Sequence, residues 1–317
     1  MEASLRLIDF HSHYYNSAWY PSSSPRGSDV LARSWPLLTN IHAQLEAMDA
    51  TKIDAKVLSA PAGVLVAPGK QLPITLMKHI NDHFAALVAA YPKCLLGLAT
   101  IDAFQGDAAA SEVERAIQTL GLGGICADCA QGDRFLDAPE ARPTLETAAR
   151  LGVAIFVHPV SPAGLTERLA RLGHTGILLA RGTENAASVI ALLRSGIFDE
   201  FPGLRVVIPM IGSAALLFAG IANQEHGRED GWRGGPPATA RKRLYVDTMG
   251  YDPASIRFAV DLLGAEHVLN GSDWPIMPIA GRQQVEKALT AVNLTDEQKA
   301  AIMGGNTLSL LKPLANA

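Results

Sequence analysis

Residues 5–13 read LRLIDFHSH, a short apolar run that leads into His11 and His13. The run predicts a β-strand, and side chains two residues apart along a strand point to the same face. His11 and His13 would therefore lie side by side at the strand end. Two imidazoles held on one rigid edge are suitable ligands for a metal ion. A His-x-His pair alone is a weak signal, so its meaning depends on the rest of the chain.

Short apolar segments alternate with longer segments of helical periodicity. The predicted strands are residues 5–13, 55–59, 95–101, 124–127, 153–157, 204–208, 244–248 and 267–270, and the predicted helices are residues 37–49, 74–90, 108–120, 139–151, 183–198, 253–263, 282–292, 296–303 and 306–311. Eight such units predict an α/β fold, a parallel (β/α)8 TIM barrel with its site at the C-terminal face of the strands. An open doubly wound sheet is the alternative, but no Gly-x-Gly-x-x-Gly follows a strand.

The composition favours one well-buried barrel domain. Of the 317 residues, 48% are hydrophobic and 18% are charged, which is ample for a core. We predict a single domain over residues 1–317, with insertions near 14–36, 161–180 and 223–242. The last of these is rich in Gly, Pro and Arg and is expected to be a loop or lid.

Charge and cysteine usage exclude several classes of protein. The formal net charge is -4 and there is no long basic block, so we expect no nucleic-acid and no membrane partner. No run of about 18 apolar residues lacks a charge or a turn residue, which predicts a soluble, cytoplasmic protein. Cys126 and Cys129 form a Cys-x-x-Cys without the second pair that structural zinc needs, and are predicted to be buried thiols.

Four metal-binding side chains fall at predicted strand ends. His11 and His13 end the first strand, His158 ends the fifth, and Asp273 follows the eighth. Each has an ordinary explanation alone: a buried histidine bonded to backbone, or a turn aspartate. Together they predict one divalent ion per chain with a position left for water or substrate. Zn²⁺ fits this set well, and Mn²⁺ is the alternative.

Several motifs of this chain resemble those of the amidohydrolase superfamily. They are the segments 8–13, 157–159 (VHP) and 270–275 (NGSDWP), supported by 195–204 (SGIFDEFPGL), 244–248 (LYVDT) and 304–307 (GGNT). The chain is most similar to the amidohydrolase-2 branch of 2-amino-3-carboxymuconate-6-semialdehyde decarboxylase and the non-oxidative aromatic-acid decarboxylases. The resemblance covers nearly the whole chain. It implies that His11, His13, His158 and Asp273 are the metal ligands and that Asp273 also transfers the proton. It further implies a homodimer, in which arginines of one subunit can complete the site of the other.

One residue departs from the pattern of that branch, which usually carries a histidine after the sixth strand in a Pro-His-x-Gly-Gly setting. Here residues 209–213 read PMIGS. Met210 carries no proton at neutral pH and is a weak ligand for such metals. It could simply fill a gap in the core, but its position at the expected barrel mouth predicts contact with substrate.

Other candidate substrate-binding residues lie near the same mouth. Tyr14 and Trp19, in the loop after the first strand, are predicted to line an apolar pocket, and Arg33 could pair with a carboxylate. Trp274 follows the catalytic candidate Asp273 and is expected to contact substrate as well. His174 and His226 fall in predicted loops, from which either could approach the site.

These features predict a metal-dependent non-oxidative decarboxylase (a carboxy-lyase) that acts on a small aromatic or enol-type carboxylic acid. We expect the metal to chelate the substrate through its carboxylate and a neighbouring oxygen, and Asp273 to deliver a proton to the carbon that loses CO₂. The alternative is a metal-dependent hydrolase of a lactone, amide or C–C bond, in which Asp273 would act as base on a water. A non-catalytic binding protein on the same fold is the third possibility, which Met210 leaves open. The product distinguishes the first two, since one releases CO₂ and the other adds water.

Overall fold

The computed structural model describes residues 6–19, 29–226, 233–235, 237–278 and 281–311. Parts of the predicted insertions at 14–36 and 223–242 therefore lie outside the described residues. The strands are β1 (Ile8–His13), β2 (Ala55–Ser59), β3 (Leu95–Ile101), β4 (Gly124–Asp128), β5 (Ala130–Gln131), β6 (Arg134–Phe135), β7 (Ala154–His158), β8 (Arg205–Ile208), β9 (Leu244–Asp247) and β10 (Val268–Leu269). Strands β5 and β6 form a small antiparallel hairpin.

The other eight strands form one parallel sheet in the order β1-β2-β3-β4-β7-β8-β9-β10. The two ends of this sheet meet. The backbone N–H of Phe10 donates to the carbonyl oxygen of Asn270 at 2.8 Å, and the Asn270 side chain donates to the carbonyl of Ile8 at 2.9 Å. The predicted (β/α)8 barrel is confirmed, with each predicted strand in place.

Helices surround the barrel. Their bounds are α1 (Asp29–Leu38), α2 (Ile41–Thr51), α3 (Ala62–Leu65), α4 (Ile74–Ala90), α5 (Asp107–Glu114), α6 (Arg142–Leu151), α7 (Leu165–Leu169), α8 (Gly173–Ser195), α9 (Ile197–Glu200), α10 (Pro209–Gly212), α11 (Ala219–Glu225), α12 (Pro237–Ala240), α13 (Pro253–Leu263), α14 (Arg282–Ala291), α15 (Asp296–Ala300) and α16 (Asn306–Leu310). Two apolar layers result, one inside the barrel and one between strands and helices.

An irregularity in β1 brings both of its histidines to the interior. The pairing register with β2 shifts between Asp9 and Ser12, as at a β-bulge. Consequently Phe10 and His11, which are adjacent in sequence, both pack edge-on against Phe156 inside the barrel. Simple alternation would have placed Asp9 on the face of His11, whereas its carboxylate instead accepts hydrogen bonds from Ser272.

Helix α8 differs from its prediction. It begins at Gly173 rather than near residue 183, so much of the segment predicted as an insertion at 161–180 is helical. Glycines at 173, 176 and 182 lower the helix propensity of this stretch. Tertiary packing requires one of them, because a Cβ atom at Gly176 would collide with the carbonyl oxygen of Leu169.

By length and composition alone, the helical stretch 165–195 could cross a membrane, with a mean hydropathy of 1.2 in its most apolar window. This is weak evidence, because 44% of that window is buried inside the protein. The buried residues, such as Val189 and Leu192, belong to the apolar layer around the barrel. This part of the stretch therefore packs against the barrel.

Candidate metal centre and its cavity

The three histidines converge at the C-terminal end of the barrel. His11 and His13 come from β1 and His158 from β7, and one ring nitrogen of each lies within 4.8 Å of the others. All three side chains are buried. Asp273 completes the group, with its Oδ1 atom 3.1 Å from His13 Nε2 and 3.4 Å from His11 Nε2. The structure thus brings together the four residues that the sequence singled out.

Neighbouring strands hold the imidazole rings. His11 Nδ1 lies 2.6 Å from Asp247 Oδ2, and His13 Nδ1 lies 2.9 Å from Ser59 Oγ. The other oxygen of Asp247 accepts hydrogen bonds from the backbone N–H groups of Met210 and Met249. A carboxylate partner at Nδ1 orients a ligating histidine, and leaves the Nε2 lone pair for a metal ion.

The unpartnered Nε2 atom of His11, which faces Asp273, fits a site for a cation. Within the described part of the chain, buried His11 Nε2 has no hydrogen-bond partner. His158 Nδ1 has none either, at 3.8 Å from Asp128 Oδ1. A buried lone pair without a donor costs free energy unless a ligand satisfies it. Three imidazoles and one carboxylate are a donor set that Zn²⁺ and Mn²⁺ accept.

The local electrostatics favour the metal-binding protonation states of most of these groups. Burial lowers the pKa of His13, and lowers that of His158 further with the help of the Arg181 charge. Burial also acts on His11, but the charges of Asp273 and Asp247 outweigh it and raise the pKa of that ring. Although burial works to raise the pKa of Asp273, the facing rings of His11 and His13 hold it below its usual value. Asp273 is therefore ionised at neutral pH, which is the state that a metal ligand needs.

The backbone around Asp273 is held by β1. Asp273 adopts a left-handed conformation with φ of 64°, which aspartate tolerates better than most residues. Its N–H donates to the carbonyl of His11 at 2.8 Å, and the N–H of His13 donates to the carbonyl of Trp274 at 3.0 Å. These bonds fix the turn, so that the Asp273 carboxylate faces the two histidines.

A cavity of about 630 Å³ opens above this centre. His13, His158 and Asp273 lie among its lining residues. Much of its wall is apolar, as at Val64, Phe104, Ile177 and Leu178, and a few polar groups project into it, including Lys70, Gln131, His174, Arg181 and Glu184. Such a mixture is typical of sites for small organic molecules.

Sequence reasoning missed several residues of the site. Ser59, Asp128 and Asp247 each end a barrel strand, so the strand-end rule that found the histidines could have found them. Burial raises the pKa of Asp128 to about 7, although the Gly63 N–H donates to this carboxylate at 2.6 Å. Arg181 had no comparable signal, because the start of α8 was not predicted as helix.

The five predicted substrate-binding residues are not among those that line the cavity. Tyr14 and Trp19 are buried instead against one another and against Phe84. The cavity is lined instead by the neighbouring Tyr15 and by Leu31 and Leu38 of α1.

The remaining three lie elsewhere for separate reasons. Arg33 is exposed on α1. The methyl end of Met210 lies near Gly182 of α8. The Trp274 ring lies under Lys56, whose Nζ atom is 3.3 Å from the ring centroid. A substrate role for these five residues is thus a prediction without a cavity contact to support it.

Comparisons with known proteins agree with this architecture. The amidohydrolase family model matches residues 8–312 of the chain. The γ-resorcylate decarboxylase of Rhodococcus jostii is 29% identical over 293 residues, which are 85% of this chain and 86% of that protein. The 2-amino-3-carboxymuconate-6-semialdehyde decarboxylase of Dictyostelium discoideum is 26% identical over 277 residues, covering 84% and 75% of the two chains.

A solved structure shares the fold. The dihydroxybenzoic acid decarboxylase of Polaromonas superposes with a TM-score of 0.78, at 22% identity, over 96% of each chain. That structure holds manganese and an inhibitor, 2-nitroresorcinol.

Proposed function

Because this chain belongs to the amidohydrolase family, we propose that it is a metal-dependent non-oxidative decarboxylase of a small aromatic or enol-type carboxylic acid. The observation that carries the proposal is the convergence of three histidines and Asp273 beside an apolar-walled cavity. The curated relatives named above are decarboxylases, and the cavity volume of about 630 Å³ suits a substituted aromatic ring.

His11, His13, His158 and Asp273 would hold one divalent ion. When bound, that ion supplies a Lewis acid for the negative charge that develops as the carboxylate leaves. Zinc suits the nitrogen-rich donor set, and manganese is supported by the Polaromonas structure. Asp247 and Ser59 keep the two β1 rings in place.

In this proposal Asp273 moves the proton. Loss of CO₂ leaves a pair of electrons on the substrate carbon, and a proton must arrive there. Since the facing rings of His11 and His13 hold the pKa of Asp273 low despite burial, this carboxylate must first gain a proton from the bound acid or from water. It can then deliver that proton to the carbon, as a general acid does.

A paired metal and product assay tests the proposal. Metal analysis of purified protein should find close to one divalent ion per chain, and a panel of hydroxybenzoic acids should yield CO₂ and the matching phenol. Chelation should abolish CO₂ release, and Zn²⁺ or Mn²⁺ should restore it. Full activity after exhaustive chelation, or a product that has gained water without losing CO₂, would exclude the decarboxylase.

A homodimer in the cytoplasm remains the expected state. The apolar side chains Leu217, Phe218 and Ile221 are exposed, with 70%, 51% and 53% of their surface accessible. They shortly precede in sequence the insertion 223–242, which we expect to contribute to the contact between subunits. Burying such side chains between two copies is favourable. Light scattering at micromolar concentration should give twice the chain mass, and a monomer would remove this expectation.

A further inference from the structure

One face of α8 forms a wall of the cavity and is not used by the function proposed above. Five residues of this helix line the cavity, namely His174, Ile177, Leu178, Arg181 and Glu184. Their spacing of three or four residues places them on the same side of the helix. The side of the helix that carries Leu179 is exposed to solvent, with 55% of that residue accessible.

Arg181 brings a positive charge to the metal end of this wall. Its Nη2 atom lies 3.3 Å from His158 Nε2, and the side chain has no ion pair with a carboxylate of the described chain. A guanidinium has five N–H donors arranged to hold a carboxylate by two hydrogen bonds. Most of that capacity remains for an anion in the cavity.

His174 brings an unpartnered polar group to the outer end of the wall. Both of its ring nitrogens are buried and have no hydrogen-bond partner within the described ranges. It lies two helical turns before Arg181, about 10 Å along the helix axis. The side chains of Ile177 and Leu178 fall between these two polar residues. The wall is therefore polar at both ends and apolar in the middle.

We propose that this face of α8 recognises the substrate as an aromatic acid with a polar substituent on the side of the ring away from its carboxylate. Arg181 pairs with the carboxylate, Ile177 and Leu178 pack against the ring, and His174 hydrogen-bonds the distal substituent. The inference rests on the proposed function in one respect, that the substrate is an aromatic acid.

Equilibrium binding tests the Arg181 contact. The probes are 2-, 3- and 4-hydroxybenzoate and their neutral amides, titrated by calorimetry into Mn²⁺-loaded protein. Arg181→Met should weaken the best acid by about 10- to 100-fold, as expected for a charge-assisted pair, and leave its amide unchanged. Arg181→Lys should fall between the two. The Mn²⁺ affinity should stay equal or rise, since a positive charge near His158 is removed.

The His174 contact predicts a change in discrimination. The parent should prefer the best hydroxybenzoate over benzoate, and His174→Phe should abolish that preference while keeping a ring in place. His174→Gln, which retains a hydrogen-bonding group, should restore part of it. Leu179→Ala, on the solvent side of the same helix, is the control and should bind every probe as the parent does.

The outcomes separate the two proposals. If the protein binds the acid in a way that depends on Arg181 but releases no CO₂, substrate recognition by α8 is supported and the decarboxylase is rejected. If the protein releases CO₂ but Arg181→Met changes the affinities for acid and amide equally, the decarboxylase is supported and recognition by α8 is rejected. A parent that binds no acid more tightly than its amide, or an unchanged preference in His174→Phe, would overturn the wall.

Discussion

The metal centre and the α8 wall face the same cavity, but their polar groups are held in different ways. At the centre, His11 and His13 each have a fixed partner, in Asp247 and Ser59. On the wall, Arg181 has one contact with a ring nitrogen, and His174 has none among the described residues. Rigid partners suit an ion that demands fixed geometry, whereas unpartnered groups suit a substrate that arrives and leaves.

Asp273→Asn should have the largest effect. The amide keeps the shape of the side chain but neither carries the charge that faces His11 and His13 nor relays a proton. We expect kcat to fall by about 10²–10⁴, the usual worth of a general acid. Steady-state rates and metal analysis of the same preparation measure it, with circular dichroism to show that the barrel is intact. A variant that keeps a tenth of the parent rate would remove the proton-transfer role.

Asp247→Asn should act through the metal rather than through substrate. The carboxylate fixes His11 by its Oδ2 atom, 2.6 Å from Nδ1. Loss of such an outer partner typically lowers metal affinity by about 10- to 100-fold. Competition with a chelator of known affinity measures it. Ser59→Ala, which removes the neutral partner of His13, is the matched variant and should lose less. Equal losses of metal affinity in Asp247→Asn and Arg181→Met would contradict the proposed difference between the metal centre and the α8 wall.

The sequence predicted the metal centre better than the wall for a physical reason. Ligands at strand ends follow from the period of a strand and the alignment of parallel strands, both of which are local or fold-wide rules. The bulge that separates Asp9 from His11 depends on pairing with β2. The early part of α8 depends on tertiary packing, because its glycines lower the local helix propensity while Gly176 fits closely against Leu169.

Not every buried polar side chain near the metal centre has a hydrogen-bond partner among the described residues. Lys56 is fully buried, and its Nζ atom lies over the Trp274 ring without a hydrogen-bond partner in the described chain. Burial lowers the pKa of Lys56 from 10.5 to about 7, although Asp9 opposes the shift. Between these values the unfolded chain binds a proton that the folded chain does not.

Stability should therefore rise with pH from about 7 towards 10, by at most about 1.4 kcal/mol per pH unit from this group. Lys56→Met has no such proton, so the free energy of unfolding of the parent minus that of the variant should increase with pH. Urea unfolding at pH 7 and pH 8.5 measures the difference. If the free energies of unfolding of the two proteins depend on pH in the same way, Lys56 keeps its proton in the folded state. The side chain would then have a stabilising partner, as His11 and His13 do at the metal centre.

Met210 connects the two regions, and its replacement by histidine should have the smallest effect. Its backbone N–H donates to Asp247 Oδ1 at 2.8 Å, while its methyl end lies near Gly182 of α8. The residue is left-handed, with φ of 56°, a conformation in which histidine is enriched, and the backbone bond does not require the methionine side chain. Met210→His should therefore fold.

If Asp273 itself protonates carbon, Met210→His should leave kcat/KM unchanged or somewhat lower, and Met210→Leu should match the parent by keeping an apolar group at the position. A reaction that needs an activated water would respond differently, because general acid–base groups are worth about 10²–10⁴ in rate. A large gain in kcat/KM for Met210→His alone, on one identified substrate, would favour the hydrolase over the decarboxylase. It would also mean that a polar group at position 210, between the metal centre and α8, takes part in the reaction.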